Sequence, residues 1–356
     1  MGRYSFYLAN FPNQGSDSVG LRFIYKSSFF YENILFYEKN MLQSLMLTKQ
    51  SHYYIKNIPK KGGVRQLNCL IPGELSVIQD NLKNNFLNFI SVPNYVFGFI
   101  KGGSYKEYLV PHCKKKYYLR IDIKNFFDAI KIKDLEDCFR YYFKVAEKEK
   151  DDLLKDLLEI ITFNDKVPQG AITSPIVSNI VFRQLDIRIF EYCRKHSVKY
   201  TRYADDMMFS SNTEYVIKPH FTKMISKILS TKSFEINISK LRKSSNFISI
   251  NGFVVGKDIT FSRKRRKDIN NVIFIYNSLP KPLNKKQFID YLNKDYFYYR
   301  TKVGDLYFSN NESLINYLAG YRSFIIGWLT HQEGYDDKIL KDTIKKIESM
   351  IDCLCK

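Results

Sequence analysis

Residues 202–210 read Arg-Tyr-Ala-Asp-Asp-Met-Met-Phe-Ser, RYADDMMFS. Asp205 and Asp206 stand side by side between aromatic and apolar flanks. Adjacent like charges repel, and hydrophobic flanks bury them where water cannot relieve the repulsion. The pattern reads as two short strands folded about Ala204-Asp205, a tight hairpin. A bare Asp-Asp pair most often only makes a turn. A third carboxylate changes the reading, because Asp122 lies near the end of YYLRIDI (117–123), a compact apolar strand. If these strands are neighbours in one sheet, three carboxylates converge, and they are stable only with cations among them. Hard oxygen donors suit Mg²⁺, which keeps its waters and binds through a few carboxylates plus substrate phosphates. Two such ions about 4 Å apart activate an attacking hydroxyl and stabilise a leaving phosphate oxygen.

The rest of the composition agrees with a phosphate-handling site. The chain has 356 residues, 45% hydrophobic and 16% aromatic, enough for a substantial core and for two or three domains. Its formal net charge is +20, an excess that favours a polyanionic partner. No stretch has the ~18 apolar residues of a membrane span. The N-terminal MGRYSFYLANFPNQ lacks a signal peptide's apolar block, and Gly2 lacks the Ser or Thr that myristoylation needs. The six cysteines are scattered without CxxC spacing. These features point to reduced thiols and a cytoplasmic protein without a membrane partner.

Along the chain, residues 1–50 read as helical and 53–70 as a basic hairpin about Lys60-Lys61-Gly62-Gly63. ELSVIQDNLKNNFLNFI carries a helical stripe through Leu75, Ile78, Leu82 and Phe86. A helix is expected over 133–162. VPQGAITSPIVSNIVF (167–182) opens as a Pro/Gly loop and becomes a long helix with Ser178, Phe182, Leu185 and Ile189 on one side. FEINISKLR (234–242) and INGFVV (250–255) read as strand-turn segments. From about 263 onward the chain is helical and strongly basic. This order predicts an α+β protein, a mixed sheet backed by helices and followed by a helical domain.

YLRIDIKNFFDAI (118–130), VPQGAITSPIVSNIVF and RYADDMMFS resemble motifs A, B and C of reverse transcriptases, in the right order. IPKKGGVRQLNCLIP (58–72) and YVFGFIKGGS (95–104) are similar to the segments preceding motif A in bacterial members. FEINISKLR resembles motif D, and INGFVV the primer-grip turn of motif E. The resemblance covers roughly residues 50–260. It implies a right-hand polymerase: an N-terminal helical extension (1–50), fingers (51–116 and about 133–175), a ferredoxin-like palm (117–255) and a helical, basic thumb (256–356).

The resemblance also assigns roles. Asp122 and Asp205 would be the main ligands of two Mg²⁺ ions, or Mn²⁺ in their place, with Asp206 completing the acidic site and the Ile123 carbonyl assisting. Phe127 falls where the family sets an aromatic ring beneath the incoming sugar, excluding a 2′-hydroxyl. Gln169 and Gly170 would line the nucleotide pocket. Lys60 or Lys61, with Arg65, would grip the triphosphate, Arg by pairing two phosphate oxygens at once; the sequence leaves open which lysine faces inward. Lys240 matches the motif D lysine, either a proton donor to pyrophosphate or a plain phosphate contact. Asn251 and Gly252 would grip the primer, and Arg263, Lys264, Arg265 and Arg266 would track the duplex backbone. LAGYRSFIIGWL (318–329) reads as thumb core.

The implied reaction is RNA-directed DNA synthesis from deoxynucleoside triphosphates on a DNA or RNA primer, yielding cDNA. Residues 256–356 leave room for a thumb and little more, so the expected class is a stand-alone bacterial enzyme copying a structured noncoding RNA. Defence-associated enzymes come first, with room for a partner effector protein, and retron enzymes second; an intron maturase is the remaining alternative. Two departures bear on that order. Tyr108-Leu109 replaces the retron Asn-Ala of an Asn-Ala-x-x-His pattern, keeping only His112, which is equally well a structural histidine. Ile250-Asn251-Gly252 stands where retrons carry Val-Thr-Gly.

Overall fold

A computed structural model describes residues 23–60, 63–297, 307–330 and 338–355. The chain divides into two compact units, Met1–Phe247 and Ile248–Lys356.

In the first unit, β1 (Tyr53–Lys60) and β2 (Gly63–Leu70) pair antiparallel as a two-stranded ribbon, Tyr53 opposite Leu70 and Lys60 opposite Gly63. The central sheet contains β3 (Tyr117–Asp122), β4 (Lys199–Tyr203), β5 (Asp206–Ser211) and β6 (Arg242–Ser245) in the order β4-β5-β3-β6. Each neighbouring pair is antiparallel.

Strand periodicity sorts this sheet into two faces. Leu119, Ile121, Met207 and Phe209 belong to the hydrophobic core, with Val177, Val181, Leu185 and Ile189 of the helix Ser174–Lys195 and Phe221, Ile225 and Leu229 of the helix Pro219–Ser230. Arg120, Asp122, Asp206, Met208 and Ser210 alternate with those residues and occupy the other face. The stripe Ser178, Phe182, Leu185 and Ile189 is buried, as its spacing predicts.

The helix expected over 133–162 is two helices, Ile132–Arg140 and Glu147–Ile161. The break has a tertiary cause. Ile24 N donates to Tyr142 O and Lys144 N donates to Ile24 O, each at 2.8 Å, so an N-terminal segment takes the backbone groups a continuous helix would use. The expected N-terminal helix is likewise in pieces, Ser27–Phe29 running into a π-helical turn at Phe30–Leu35, then Lys39–Leu47. Residues 1–22 lie outside the described residues.

In the second unit, β7 (Ile248–Ile250), β8 (Phe253–Val255) and β9 (Ile259–Phe261) form an antiparallel meander. Asn251 and Gly252 both have positive φ, 47° and 89°, the type I′ turn that Asn-Gly favours. Helices Arg263–Ser278, Lys285–Tyr291, Asn311–Thr330 and Lys338–Cys355 follow. Leu318, Ile325 and Trp328 are buried, so LAGYRSFIIGWL is core of this unit. Among the described residues, no helix is long and apolar enough to cross a membrane.

Candidate active site

Register brings the acids together. Asp122 ends β3 directly opposite Asp206, which begins β5, and Asp205 sits in the turn between β4 and β5. Ala204 takes the left-handed conformation (φ 56°) that closes so short a turn. Ile123 N donates to Asp205 O at 3.0 Å, tying the turn to the end of β3. Asp122 and Asp206 are buried and Asp205 is half-buried. Burial, then the charges of Asp206 and Asp122, push the Asp205 carboxyl above the usual carboxylate range. The repulsion inferred from RYADDMMFS is thus a property of the folded site.

Two of the three carboxylates are turned onto cations of the chain. Lys240 Nζ donates to both oxygens of Asp122 at 3.0 Å, and Asn237 Nδ2 adds a bond of 3.2 Å. Arg120 grips Asp206 with Nε to Oδ1 at 2.9 Å and Nη2 to Oδ1 and Oδ2 at 2.7 and 2.8 Å. Among the described residues, no three His, Cys, Asp or Glu side chains are gathered closely enough to hold a metal ion. The donor set nevertheless fits Mg²⁺ chemically: hard carboxylate oxygens in a largely buried cluster that already recruits positive charge.

The hairpin is braced from behind. Arg202, opposite Met207 and so on the helix-packed face, is fully buried. It donates to Asp186 Oδ1 and Oδ2 at 2.8 and 2.7 Å, to Asn179 Oδ1 at 3.0 Å and to Ala204 O at 2.9 Å. Asn179 and Asp186 belong to the helix Ser174–Lys195, so this network ties that helix to the turn carrying Asp205. Gly98 lies against the same turn, where an added Cβ would be 2.3 Å from Ala204 N. Only glycine fits there.

The nucleotide-pocket candidates belong to the same unit. Phe127, half-buried in the loop after β3, faces Phe99 with ring centroids 6.1 Å apart and Phe126 at 5.5 Å. Gln169 is half-buried and Gly170 exposed, with φ 115°. A Cβ on Gly170 would be 3.0 Å from Cys69 Sγ and 3.1 Å from Asn68 O, so this loop lies hard against β2. Arg65 is exposed on β2 opposite Ile58. Lys60 closes β1, and Lys61 lies outside the described residues.

In the second unit, Asn251 and Gly252 form the β7–β8 turn. Arg263 and Lys264 are exposed at the start of their helix, Arg266 is half-buried, and no acidic residue offsets them in the first turn. The helix dipole disfavours cations at that end. Arg265 differs from its neighbours. Its guanidinium sits 4.5 Å from the Phe253 ring centroid and 4.6 Å from that of Phe324, a cation–π position inside the unit.

His112 is structural. It is fully buried, with Nδ1 2.7 Å from Ser210 Oγ and Nε2 2.8 Å from Thr201 Oγ1, and so links the two strands of the hairpin. Sequence reasoning passed over Arg120, Arg202, Asn237 and Gly98. A signal existed for the arginines: each is a charge next to a strand's buried positions, where a partner is obligatory.

Three similarities to curated proteins are informative. The retron Ec73 reverse transcriptase of Escherichia coli is 33% identical over 227 residues, 59% of this chain and 71% of that one. The retron Mx65 reverse transcriptase of Myxococcus xanthus is 28% identical over 60% of this chain and 54% of that one. The retron Ec86 reverse transcriptase of E. coli is 26% identical over 64% of this chain and 71% of that one. The chain therefore spans about half the length of some of these relatives and under three quarters of the others. Among solved structures, the telomerase of Candida albicans aligns over 88% of this chain and 68% of that one, with 12% identity and a TM-score of 0.45, too distant to carry an argument. The model of the reverse transcriptase (RNA-dependent DNA polymerase) family matches residues 58–292, and the chain belongs to that family.

Proposed function

We propose that this protein is an RNA-directed DNA polymerase that extends a primer 3′-hydroxyl with deoxynucleoside triphosphates. The observation carrying this reading is the cross-strand pairing of Asp122 with Asp206, with Asp205 next to Asp206 in the β4–β5 turn. In this reading Asp122 and Asp205 hold Mg²⁺, or Mn²⁺ in its place, with Asp206 and the Ile123 carbonyl beside them. The metal supplies charge neutralisation at the attacking and leaving oxygens. Phe127 excludes a 2′-hydroxyl from the sugar position, and Gln169 and Gly170 flank the incoming nucleotide. Arg65 with Lys60 or Lys61 binds the triphosphate. Lys240, whose ammonium already lies at Asp122, is the proton donor to departing pyrophosphate. Asn251 and Gly252 contact the primer. Arg263, Lys264 and Arg266 contact the duplex backbone, a role supported by three cations at a helix start that disfavours them.

The test is incorporation of labelled deoxynucleotide on a primed RNA. Asp205→Asn should lower the rate at least about 1,000-fold, because the transition-state charge loses a preorganised partner. Equal rates for variant and wild type would overturn the proposal.

For the template, we propose a structured noncoding RNA. Kinship with retron enzymes supports DNA linked to its RNA template as the product, ahead of free cDNA made for antiphage defence with an effector protein. Sequencing the nucleic acid that co-purifies with the protein decides between them. An RNA–DNA junction supports the retron reading, and random cellular RNA removes both.

A further inference from the structure

We propose that Arg120 is a positioning residue of the acidic centre, holding Asp206 as its own counter-ion so that Asp122 and Asp205 are left to take the metal. The inference rests on the active-site reading above and adds a division of labour among the three carboxylates.

Strand geometry makes the arrangement intrinsic. Arg120 and Asp122 are two residues apart on β3 and share a face, and Asp206 stands opposite Asp122. Arg120 is therefore the diagonal neighbour of Asp206, within reach of a long side chain. Its fork engages both carboxylate oxygens through three bonds of 2.7–2.9 Å. Both side chains are largely enclosed, at 17% and 11% exposure. Beside them stands an aromatic cluster in which Tyr105, Tyr108 and Tyr203 have ring centroids 5.0–5.8 Å apart, with Tyr108 fully buried.

The other cation of the site is built differently. Lys240 meets Asp122 with a compact ammonium on a flexible stem, and its side chain is 55% exposed. Such a pair exchanges readily with an incoming cation, whereas a planar, enclosed, multiply bonded guanidinium does not. Asp122 is thus the carboxylate with a displaceable partner, and Asp206 the one with a permanent partner. Arg120 also removes one negative charge from a cluster in which Asp205 already meets repulsion from both neighbours.

The test measures Mn²⁺ affinity directly, by titration calorimetry or by the free Mn²⁺ spin signal, together with melting temperature and kcat. In Arg120→Gln, Asp206 is released toward the metal. Mn²⁺ should bind about tenfold more tightly than to wild type. The metal-free variant should melt below wild type, with added Mn²⁺ closing most of that gap. kcat should nevertheless fall, because the extra ligand holds the ion off its working position. Arg120→Lys, which keeps the charge without the fork, should lie between Arg120→Gln and wild type on all three readouts. The double variant Arg120→Gln, Asp206→Asn should return Mn²⁺ affinity to near the wild-type value. Wild-type Mn²⁺ affinity in both Arg120 variants, with activity tracking only the folded fraction, would overturn the inference. Asp205→Asn is the separate control: unchanged Mn²⁺ binding there overturns the active-site reading itself.

Discussion

Two arginine–aspartate pairs hold one hairpin from opposite faces of the same sheet, and they differ in what surrounds them. Arg202 and Asp186 are both fully buried behind the hairpin. Protein groups surround Arg202 there, among them a carboxylate, an amide oxygen, a main-chain carbonyl and the Phe182 ring at 4.6 Å. Arg120 and Asp206 lie on the face that carries the carboxylates, partly open to solvent. The chemistry of the two pairs is nearly identical, and strand parity alone assigns them. Arg202 opposes Met207, and Arg120 opposes Met208. A fully buried pair is costly to desolvate and is retained where it fixes one arrangement. Here that arrangement is the Ala204 turn. The front pair works on the charge of the site; the rear pair works on its shape.

The largest predicted effect breaks the rear pair. Arg202→Ala leaves Asp186 buried with, among the described residues, the Tyr200 hydroxyl at 2.7 Å as its remaining side-chain partner. The cost is about 3–5 kcal/mol, the value for a stranded buried charge. Urea denaturation measures it, and a loss below about 1 kcal/mol would remove the distinction between the two pairs.

Gly98→Ala sharpens the comparison by moving the turn while leaving both pairs chemically intact. The new Cβ meets Ala204 N at 2.3 Å and Tyr203 C at 3.0 Å, backbone atoms with no flexible end to yield. A shift of the turn by about 1 Å should lower the incorporation rate about 100-fold. A soluble variant with wild-type kcat would show that the turn tolerates displacement.

Phe127→Ala tests the open face alone. The half-buried ring packs on Phe99 and Phe126, so the variant is read by a ratio of two substrates, from which the folded fraction cancels. Discrimination against ribonucleotides should fall about tenfold or more, measured as the ratio of kcat/KM values for the two sugars. Unchanged selectivity would mean that this ring does not face the sugar.

The acids were legible in the sequence because a two-residue strand period and a tight turn are local properties. RYADD declares a hairpin by itself, and YLRID places one carboxylate at a strand end. The partners of those acids were not legible. Whether Arg120 meets Asp206 depends on the β3–β5 register, and whether Lys240 meets Asp122 depends on a turn over 100 residues away in sequence. The break between Arg140 and Glu147 was hidden for the same reason, since its cause is Ile24. Arg265 is the sharpest case. Within RKRRK it looks like one cation among five, yet an aromatic cage on non-neighbouring elements separates it from Arg263 and Lys264.

The smallest predicted effect is a pH dependence on the carboxylate face, away from the acids themselves. Thr201 Oγ1 donates its proton to Tyr108 O at 2.8 Å, so it can only accept from His112. Nε2 of His112 is therefore the protonated nitrogen, and Nδ1 accepts from Ser210. A neutral imidazole satisfies both contacts. Burial, reinforced by Lys115 and Lys199, lowers the His112 pKa to about 3. In the unfolded chain the pKa returns to about 6.5. The sign follows: between those values the unfolded chain binds the extra proton and the folded protein does not. The contribution of His112 is complete above about pH 6.5 and is lost as pH falls toward 3. Lowering the pH from 7 to 5.5 should cost about 1 kcal/mol through this group. His112→Gln, an uncharged side chain with a donor and an acceptor for the same two hydroxyls, should be less stable at pH 7 but should lose that part of the slope. An identical slope in the variant would place the titrating group elsewhere and leave His112 as packing alone.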